Sequence, residues 1–527
     1  MGFGRICCST RSGPHFPDLP PTASGRNRGW VALIGKRTSR EPLAMNQHRP
    51  ILRSGETCWR IERADRLAVI IDAADYFARV KQAILEARHS VIMVAWDFDA
   101  RIRLDPRAPR DQAPDTLGRF LNWVIRHRPE LEIRVLKWDL GTVKALGRGS
   151  TPLFVLNWLS DKRMHFRLDG AHPVSSVHHQ KIVVIDDVLA FCGGIDMTAD
   201  RWDTRDHLDT EPRRRRPTTR RHYGPWHDVT TAVNGPAAAA LGEITRNRWE
   251  QATGERLEPP PACETRWLDG LEPLLEGAEV GISRTLPDYG ERPGVHEIEK
   301  LYLEIIGRAE RTLYIESQYF AARRIAEAIA VRLREEDGPE IVIVNPLTAD
   351  GWLEETVMGA SRAKLLGMIA EADRYDRFRI YHPVTVQGQP IYVHAKVLAM
   401  DERLLKVGSS NLNNRSMGFD TECDLSVEAA AGETGLQERI AALRDDLIAE
   451  HLGVPRETFE AVLRAKGSLI AAIESLRGPG RSLRPFEPPD LGAIGETLIA
   501  DNEMLDPERV SRFWRGRCGW SRLRRAT

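Results

Sequence analysis

Hydrophobic positions along the chain follow two different periods. Leu67–Asp72 is a short apolar run, residues 72–88 carry apolar side chains at three- and four-residue spacing, and Ser90–Trp96 is again continuously apolar. The first and third patterns predict buried strands, and the second predicts a helix with one buried face. Residues 116–128 then read as a helix and 131–139 as a strand. From residue 297 the order recurs: helix over 297–309, strand over 312–317, helix over 323–336, strand over 340–346 and helix over 355–372, with Arg377–Val384 leading onward. Strands alternating with helices predict an α/β fold, a mixed sheet flanked by helices. The recurrence predicts two such units, in a repeat of about two hundred residues that is much too long for a solenoid.

The repeat is clearest in one short pattern, His-x-Lys-x-x-x-x-Asp. It occurs in VHHQKIVVID as His179, Lys181 and Asp186, and in YVHAKVLAMD as His394, Lys396 and Asp401. Alternate residues of an extended chain share a face, so each histidine projects with its lysine. A second apolar strand follows each copy and ends on small residues, Gly193 and Gly194 before Asp196, and Gly408, Ser409 and Ser410 before Asn411. Small residues let a backbone approach a ligand, which makes Gly193, Gly194, Ser409 and Asn411 candidates for binding phosphate or substrate. Further on, Asp228 and Glu422 open equivalent strand-like runs.

These residue types suit attack on a phosphodiester. The nucleophile must be unprotonated, the leaving alkoxide needs a proton, and the phosphoryl oxygens need positive charge. Imidazole, with an ordinary pKa of about 6.5, can serve as attacking base or as proton donor near neutral pH. One of His179 and His394 would attack and the other would act as general acid, with Lys181 and Lys396 on the non-bridging oxygens. The residues alone leave the order open. Asp228 and Glu422 are the candidates for holding each histidine in one tautomer. Asp186 and Asp401 end their strands at acidic turns and are expected to position the motif by capping their own backbone. His178 points away from His179 and reads as packing. Trp96, Asp97, Phe98, Gln318 and Tyr319, at strand ends, fit core and pocket equally. No metal or cofactor is expected, since no ligand cluster is visible and the chemistry needs none.

The stretches HHQKIVVIDDVLAFCGGIDMTADRWDT, YIESQYF, PWHDV and VHAKVLAMDERLLKVGSSNLNNRS carry a resemblance to the phospholipase D superfamily, whose hallmark is the doubled His-Lys-Asp motif. They look most like its phosphatidylcholine-cleaving branch, over roughly Arg60 to Leu452. The resemblance implies two α-β-α units packed face to face as an internal pseudo-dimer, with both motifs at the shared cleft. It favours His179 as the nucleophile that forms a phosphohistidine, and His394 as general acid. It implies hydrolysis of glycerophospholipid to phosphatidic acid and head-group alcohol, with transfer to other alcohols as a side activity. A phospholipid at a membrane surface is the partner implied, and a monomer the expected state.

Composition narrows the alternatives. Lysine plus arginine number 75 and aspartate plus glutamate 75, so no global field attracts nucleic acid. Fused motifs and neutral charge count against a nuclease, and intact histidines and lysines against an inactive scaffold. A cardiolipin or phosphatidylserine synthase keeps the chemistry and remains the alternative. The seven cysteines are scattered, which favours a reducing compartment. No stretch of about eighteen apolar residues occurs, and residues 1–44 lack a signal-peptide core, so a cytoplasmic protein, peripheral to the inner membrane face, is expected. The expected division is a disordered leader over 1–50, halves over 51–265 and 266–455, and a helical then basic tail over 456–527. Within it, GPGRSLRPFEPPD reads as a linker. Trp514 and Trp520 stand among arginines near the end, a pattern that fits a solvated tail or a lipid anchor. Between Gly193 and Asp228 the first half carries an insertion with Arg213–Arg216, Arg220 and Arg221, expected over the cleft mouth as a solvated loop or a phosphate-recognition element.

Overall fold

The computed structural model describes residues 49–107, 113–139, 161–264, 266–348 and 352–487, without the side chains of 352–360. All described elements lie in the compact unit Pro50–Thr527. The predicted tail residues Trp514 and Trp520 and the leader 1–44 fall outside the described residues.

The first half runs β1 (Arg60–Ile71), α1 (Ala73–Glu86), β2 (Ser90–Ala95), α2 (Leu117–His127), β3 (Glu132–Trp138), β4 (Met164–Asp169), β5 (Ile182–Ile185), β6 (Leu189–Gly193), β7 (Trp226–His227) and β8 (Val229–Asn234). Helix α3 (Pro236–Thr253) closes it. The second half runs β9 (Leu275–Leu286), β10 (Val295–His296), α4 (Glu297–Arg308), β11 (Thr312–Glu316), α5 (Arg323–Leu333), β12 (Glu340–Val344), α6 (Trp352–Ala372), β13 (Phe378–Val384), β14 (Tyr392–Val393), β15 (Val397–Met400), β16 (Leu404–Gly408), α7 (Asn414–Gly418) and β17 (Glu422–Glu428). Then come α8 (Thr434–Leu452), α9 (Arg456–Lys466), α10 (Leu469–Leu476) and β18 (Ser482–Pro485).

Hydrogen bonding joins the long strands into one sheet in the order β18-β13-β12-β11-β15-β16-β17-β9-β1-β8-β6-β5-β2-β3-β4. The order is the same outward from each side of the antiparallel β1/β9 pair, with the strands of one half matched by those of the other. In both halves the central strand pairs parallel with the next on one side (β2 with β3, β11 with β12) and antiparallel with the motif strand on the other (β5, β15). Residues of β2, β5 and β6 are buried throughout, as expected of strands covered on both faces. Beyond the shared edge the halves also meet face to face, since one apolar cluster joins Ile182, Val184 and Val229 to Val397, Val407 and Leu425. The α/β class and the two similar units are therefore present, and the sheet continuity through β1 and β9 is additional.

One sequence expectation is corrected. The glycine- and proline-rich stretch from Gly478 holds strand β18, which pairs antiparallel with β13 at the sheet edge and buries Leu483 completely. An edge strand has one side free of ladder bonds, so proline at its end is tolerated. Among the described residues no helix is long and apolar enough to cross a membrane.

Candidate active site

Each motif histidine stands just before its strand, in an extended segment that pairs with the opposite half. The His179 N–H donates to the Thr421 carbonyl (3.0 Å), and the Thr421 N–H returns a bond to Val177 (3.0 Å). On the other side β14 pairs parallel with β7, Tyr392 opposite Trp226 and Val393 opposite His227, and the His394 N–H donates to the His227 carbonyl (2.8 Å). These short bridges place each histidine beside the carboxylate of the other half. His179 Nδ1 lies 3.1 and 3.0 Å from the two oxygens of Glu422, and His394 Nδ1 lies 2.7 Å from Asp228 Oδ2. The pairing is crossed.

Such a contact puts the ring proton on Nδ1 and leaves the Nε2 lone pair free. Burial holds both histidines well below their usual pKa, reinforced by Lys181 and Lys396 around His179 and by Lys396 and Arg201 around His394. Burial likewise pushes Asp228 up to about 7 and Glu422 up to about 8. The two lysines differ. Lys181 Nζ ion-pairs with Asp196 (3.0 Å) and donates to the His179 carbonyl (2.9 Å). Lys396 donates to the His394 carbonyl, and the residue that corresponds to Asp196 in its half is the neutral Asn411. Burial lowers the Lys396 pKa to about 7.

Several expected site residues lie elsewhere or do different work. Asp186 and Asp401 cap no turn of their own. Asp186 accepts three consecutive amides, Arg88, His89 and Ser90 (2.7, 2.8 and 2.7 Å), at the start of β2. Asp401 accepts Glu310, Arg311 and Thr312 (2.8 Å each) at the start of β11. Both stand at the far end of a strand from the lysine, roughly 16 Å away at the usual rise per residue. Both also adopt positive φ, 51° and 46°, which aspartate tolerates better than most residues. They tie the motif strand to its neighbour and do not reach the cleft.

The glycines are required by the protein's own packing. A Cβ on Gly193 would stand 2.4 Å from Thr230, and one on Gly194 would stand 2.1 Å from Asp228 Oδ1. Gly194 thus leaves room for the carboxylate behind His394. The Ser409 hydroxyl donates to Glu422 Oε2 (2.5 Å) and accepts the Cys423 amide (3.0 Å), so it steadies Glu422. Asn411 is buried beside this group, its amide N–H bound to Ser416 Oγ (3.1 Å). His178 is fully buried against Thr421 Oγ1 (2.6 Å), in a packing role.

Of the strand-end aromatics, Trp96 lies edge-on to His179 at 6.4 Å and stacks on Trp138. Gln318 donates to the Tyr319 and Tyr392 hydroxyls (2.9 Å each), and Tyr392 stacks on Trp226 at 4.4 Å. Asp97 instead ion-pairs with Lys137 (2.7 Å), and Phe98 is core. Trp226, Tyr392, Ile391 and Leu347, with Tyr223 and Arg216 of the insertion, line a half-open cleft of roughly 250 Å³. Within the insertion Arg213, Arg214 and Arg216 are each paired with a carboxylate, Glu211, Asp203 and Asp200.

Two contributors escaped the sequence reading. Ser416 donates a second hydroxyl to Glu422 (2.6 Å), and its signal was the serine within SNLNNRS. Arg201 lays its guanidinium over Trp226, 4.1 Å from the ring centroid, and adds positive charge at His394 and Lys396. No residue of the second half repeats it in the motif alignment, so the internal repeat could not point to it.

Comparison with known proteins fits this geometry. A family model described as "Phospholipase D" matches residues 83–261, and one described as "Cardiolipin synthase, PLD-like domain" matches residues 302–443. Phospholipase D A of Dictyostelium discoideum is 25% identical over 446 residues, 70% of this chain and 33% of that protein. Phospholipase D alpha 4 of Arabidopsis thaliana is 24% identical over 527 residues, 79% of this chain and 68% of that protein. The chain thus spans about a third of the first relative. Among solved structures, phosphatidylserine synthase of Haemophilus influenzae Rd KW20 shares the fold, with a TM-score of 0.50 at 13% identity over 77% of this chain and 96% of that one.

Proposed function

The chain belongs to the phospholipase D superfamily, and on that basis we propose that it is a phosphodiesterase that hydrolyses glycerophospholipid to phosphatidic acid and the head-group alcohol. The crossed pairing of His179 with Glu422 and of His394 with Asp228 carries this reading. It gives two Nε2 atoms of fixed tautomer, one from each half, with two lysine ammonium groups beside them. His179 is assigned as nucleophile, being the more accessible imidazole (13% against 5% exposed).

His179 Nε2 attacks phosphorus while Glu422 takes up the growing positive charge at Nδ1–H. The bond from phosphorus to the head-group oxygen breaks, and His394 Nε2–H gives that oxygen its proton. The proton resides on His394 once an anionic diester offsets the surrounding cations, which would otherwise keep the ring neutral. Lys181, Lys396 and Arg201 face the phosphoryl charge. In the second half-reaction His394 takes a proton from water, the hydroxide attacks phosphorus, and His179 leaves. An alcohol in place of water gives phosphatidyl transfer. The substrate lies at a membrane surface, and the internal pseudo-dimer makes a monomer sufficient.

The test is turnover of phosphatidylcholine vesicles containing ethanol. Phosphatidic acid and phosphatidylethanol are expected from the wild type and from neither His179→Ala nor His394→Ala. The match of residues 302–443 to a cardiolipin synthase model keeps a phosphatidyltransferase as the second reading. Transfer to glycerol-bearing lipid without hydrolysis would establish it and overturn the first. Cleavage of single-stranded DNA with no lipid turnover would overturn both.

A further inference from the structure

Behind the His394–Asp228 pair, on the side away from the cleft, lies a second cluster that the phosphodiester chemistry does not use. Asp72, His207, His227 and Glu450 are all buried, with exposures of 1, 1, 0 and 8%. The four side chains converge through five atoms, both Asp72 oxygens among them. His207 Nε2 lies 3.1 Å from Glu450 Oε1 and 3.4 Å from Asp72 Oδ2, and His227 Nδ1 lies 3.3 Å from Asp72 Oδ1 and 3.4 Å from Glu450 Oε1. A tetrahedral zinc ion with ligands at roughly 2.0–2.1 Å spaces them roughly 3.3–3.4 Å apart.

The outer atoms of the same histidines are fixed. His207 Nδ1 is 3.0 Å from Asp203 Oδ2, and His227 Nε2 is 3.0 Å from Glu316 Oε2. A single ring proton held at each outer carboxylate leaves lone pairs on His207 Nε2 and His227 Nδ1 turned toward Asp72 and Glu450. A second proton on His207 would instead let Nε2 donate to Glu450 Oε1 (3.1 Å). Lone pairs facing carboxylates repel unless a cation or added protons stand between them. The atoms Asp72 Oδ2 and His227 Nδ1 have no hydrogen-bond partner although both are fully enclosed. An outer carboxylate on the second nitrogen is also the usual support of a metal-bound histidine. Charge leaves room for the ion. Five carboxylates (Asp72, Asp203, Glu316, Glu450 and Asp446) meet three guanidiniums (Arg205, Arg214 and Arg481). The remaining two negative charges are balanced either by a second proton on each of His207 and His227 or by one divalent cation.

We propose that Asp72, His207, His227 and Glu450 bind a single divalent metal ion of the zinc class, a structural ion that ties the two halves together behind the active site. Three ligands come from the first half and Glu450 from α8 of the second. The ion would hold His227, whose carbonyl accepts the His394 amide (2.8 Å), and Asp72, whose Oδ1 accepts the Asp228 amide (3.1 Å). The ligands are scattered from residue 72 to residue 450, so no sequence motif marks the site.

The experiment measures metal and not turnover, so its outcome is separable from the phospholipid reading. The full chain, produced in zinc-containing medium and gel-filtered in metal-free buffer, is analysed by plasma mass spectrometry. About one zinc per wild-type chain is expected, with His207→Ala and Glu450→Ala at background and His127→Ala, an exposed control, unchanged. Chelator-treated wild type, checked by circular dichroism, should take up about one equivalent of zinc from a colorimetric indicator and melt at higher temperature with it. If the ligand variants do not fold, the wild-type stoichiometry and titration decide. A folded wild type that carries no stoichiometric metal and takes up none overturns the proposal, and so does zinc retained equally by both ligand variants.

Discussion

At the scale of single residues, the crossed carboxylates are what make two ordinary histidines into a matched pair. A buried imidazole with its Nδ1–H bound to a carboxylate keeps its tautomer through the reaction, and the carboxylate stabilises the imidazolium as it forms. Glu422→Gln keeps the shape but can offer its amide N–H to Nδ1, which favours the other tautomer. We expect kcat to fall about a hundred- to ten-thousand-fold with KM little changed, measured by steady-state hydrolysis of phosphatidylcholine. A loss confined to KM would count against an orienting role. The pH dependence follows from the same environment. His179 is held well below its usual pKa, so the nucleophile is already neutral at pH 7 and its own protonation should cut kcat/KM only below pH 6.5. An acid limb near 8 would instead report the loss of the Glu422 carboxylate, which burial raises to about 8. Lys396, lowered to about 7, loses its charge as the pH rises through that value, and kcat/KM should decline from there. In Lys396→Arg the guanidinium stays charged, so the alkaline limb should move up by roughly two units or more. An unmoved limb would assign it to another group.

At the scale of elements, Asp186 and Asp401 explain why the motif extends five residues past its lysine. Each fixes three amides at the start of the neighbouring strand, so deleting one leaves three donors short of an acceptor. Asp401→Ala should cost roughly 1–3 kcal/mol, read as a lower urea midpoint at constant slope, because the three amides are only partly buried and water can meet some of them once the carboxylate is gone. Gly194 makes the complementary case. Its Cβ would meet Asp228 Oδ1 at 2.1 Å, so Gly194→Ala should displace that carboxylate and lower kcat while the fold, followed by circular dichroism, persists. Sequence periodicity revealed the elements whose faces are sharply divided, such as α1 and α4, and the wholly apolar β2 and β5. It missed α3, whose alanine-rich start is buried without a clear stripe, and β4, whose middle residues Arg167 and Leu168 are exposed. The histidines, lysines and their carboxylates were legible because they recur. The roles of Ser409, Gly194 and the motif aspartates were not, because a sequence shows that a residue is small or acidic but not which neighbour it meets.

At the scale of the molecule, neither half contains a complete proton-handling pair. His179 depends on Glu422 and His394 on Asp228, while β1 and β9 knit the two sheets along their shared edge. The join between the halves is different in character. Between α3 and β9 the chain passes through Glu258, Pro259 and Pro261, which are exposed. Loop-closure entropy changes only slowly with loop length, so cutting there should cost little beyond the association of two fragments. Co-expressed fragments divided at Pro260 should therefore copurify and hydrolyse phosphatidylcholine, and each fragment alone should be inactive. A fragment active by itself, at a rate independent of its concentration, would show that one histidine finds a carboxylate within its own half. Activity rising with the square of a single fragment's concentration would mean that two copies of one half can replace the fused pair. The sequence differences between the halves argue against that. Asp196 serves Lys181 where Asn411 stands by Lys396, and Arg201 has no counterpart, so two identical halves would lack either the guanidinium over Trp226 or the two serines on Glu422.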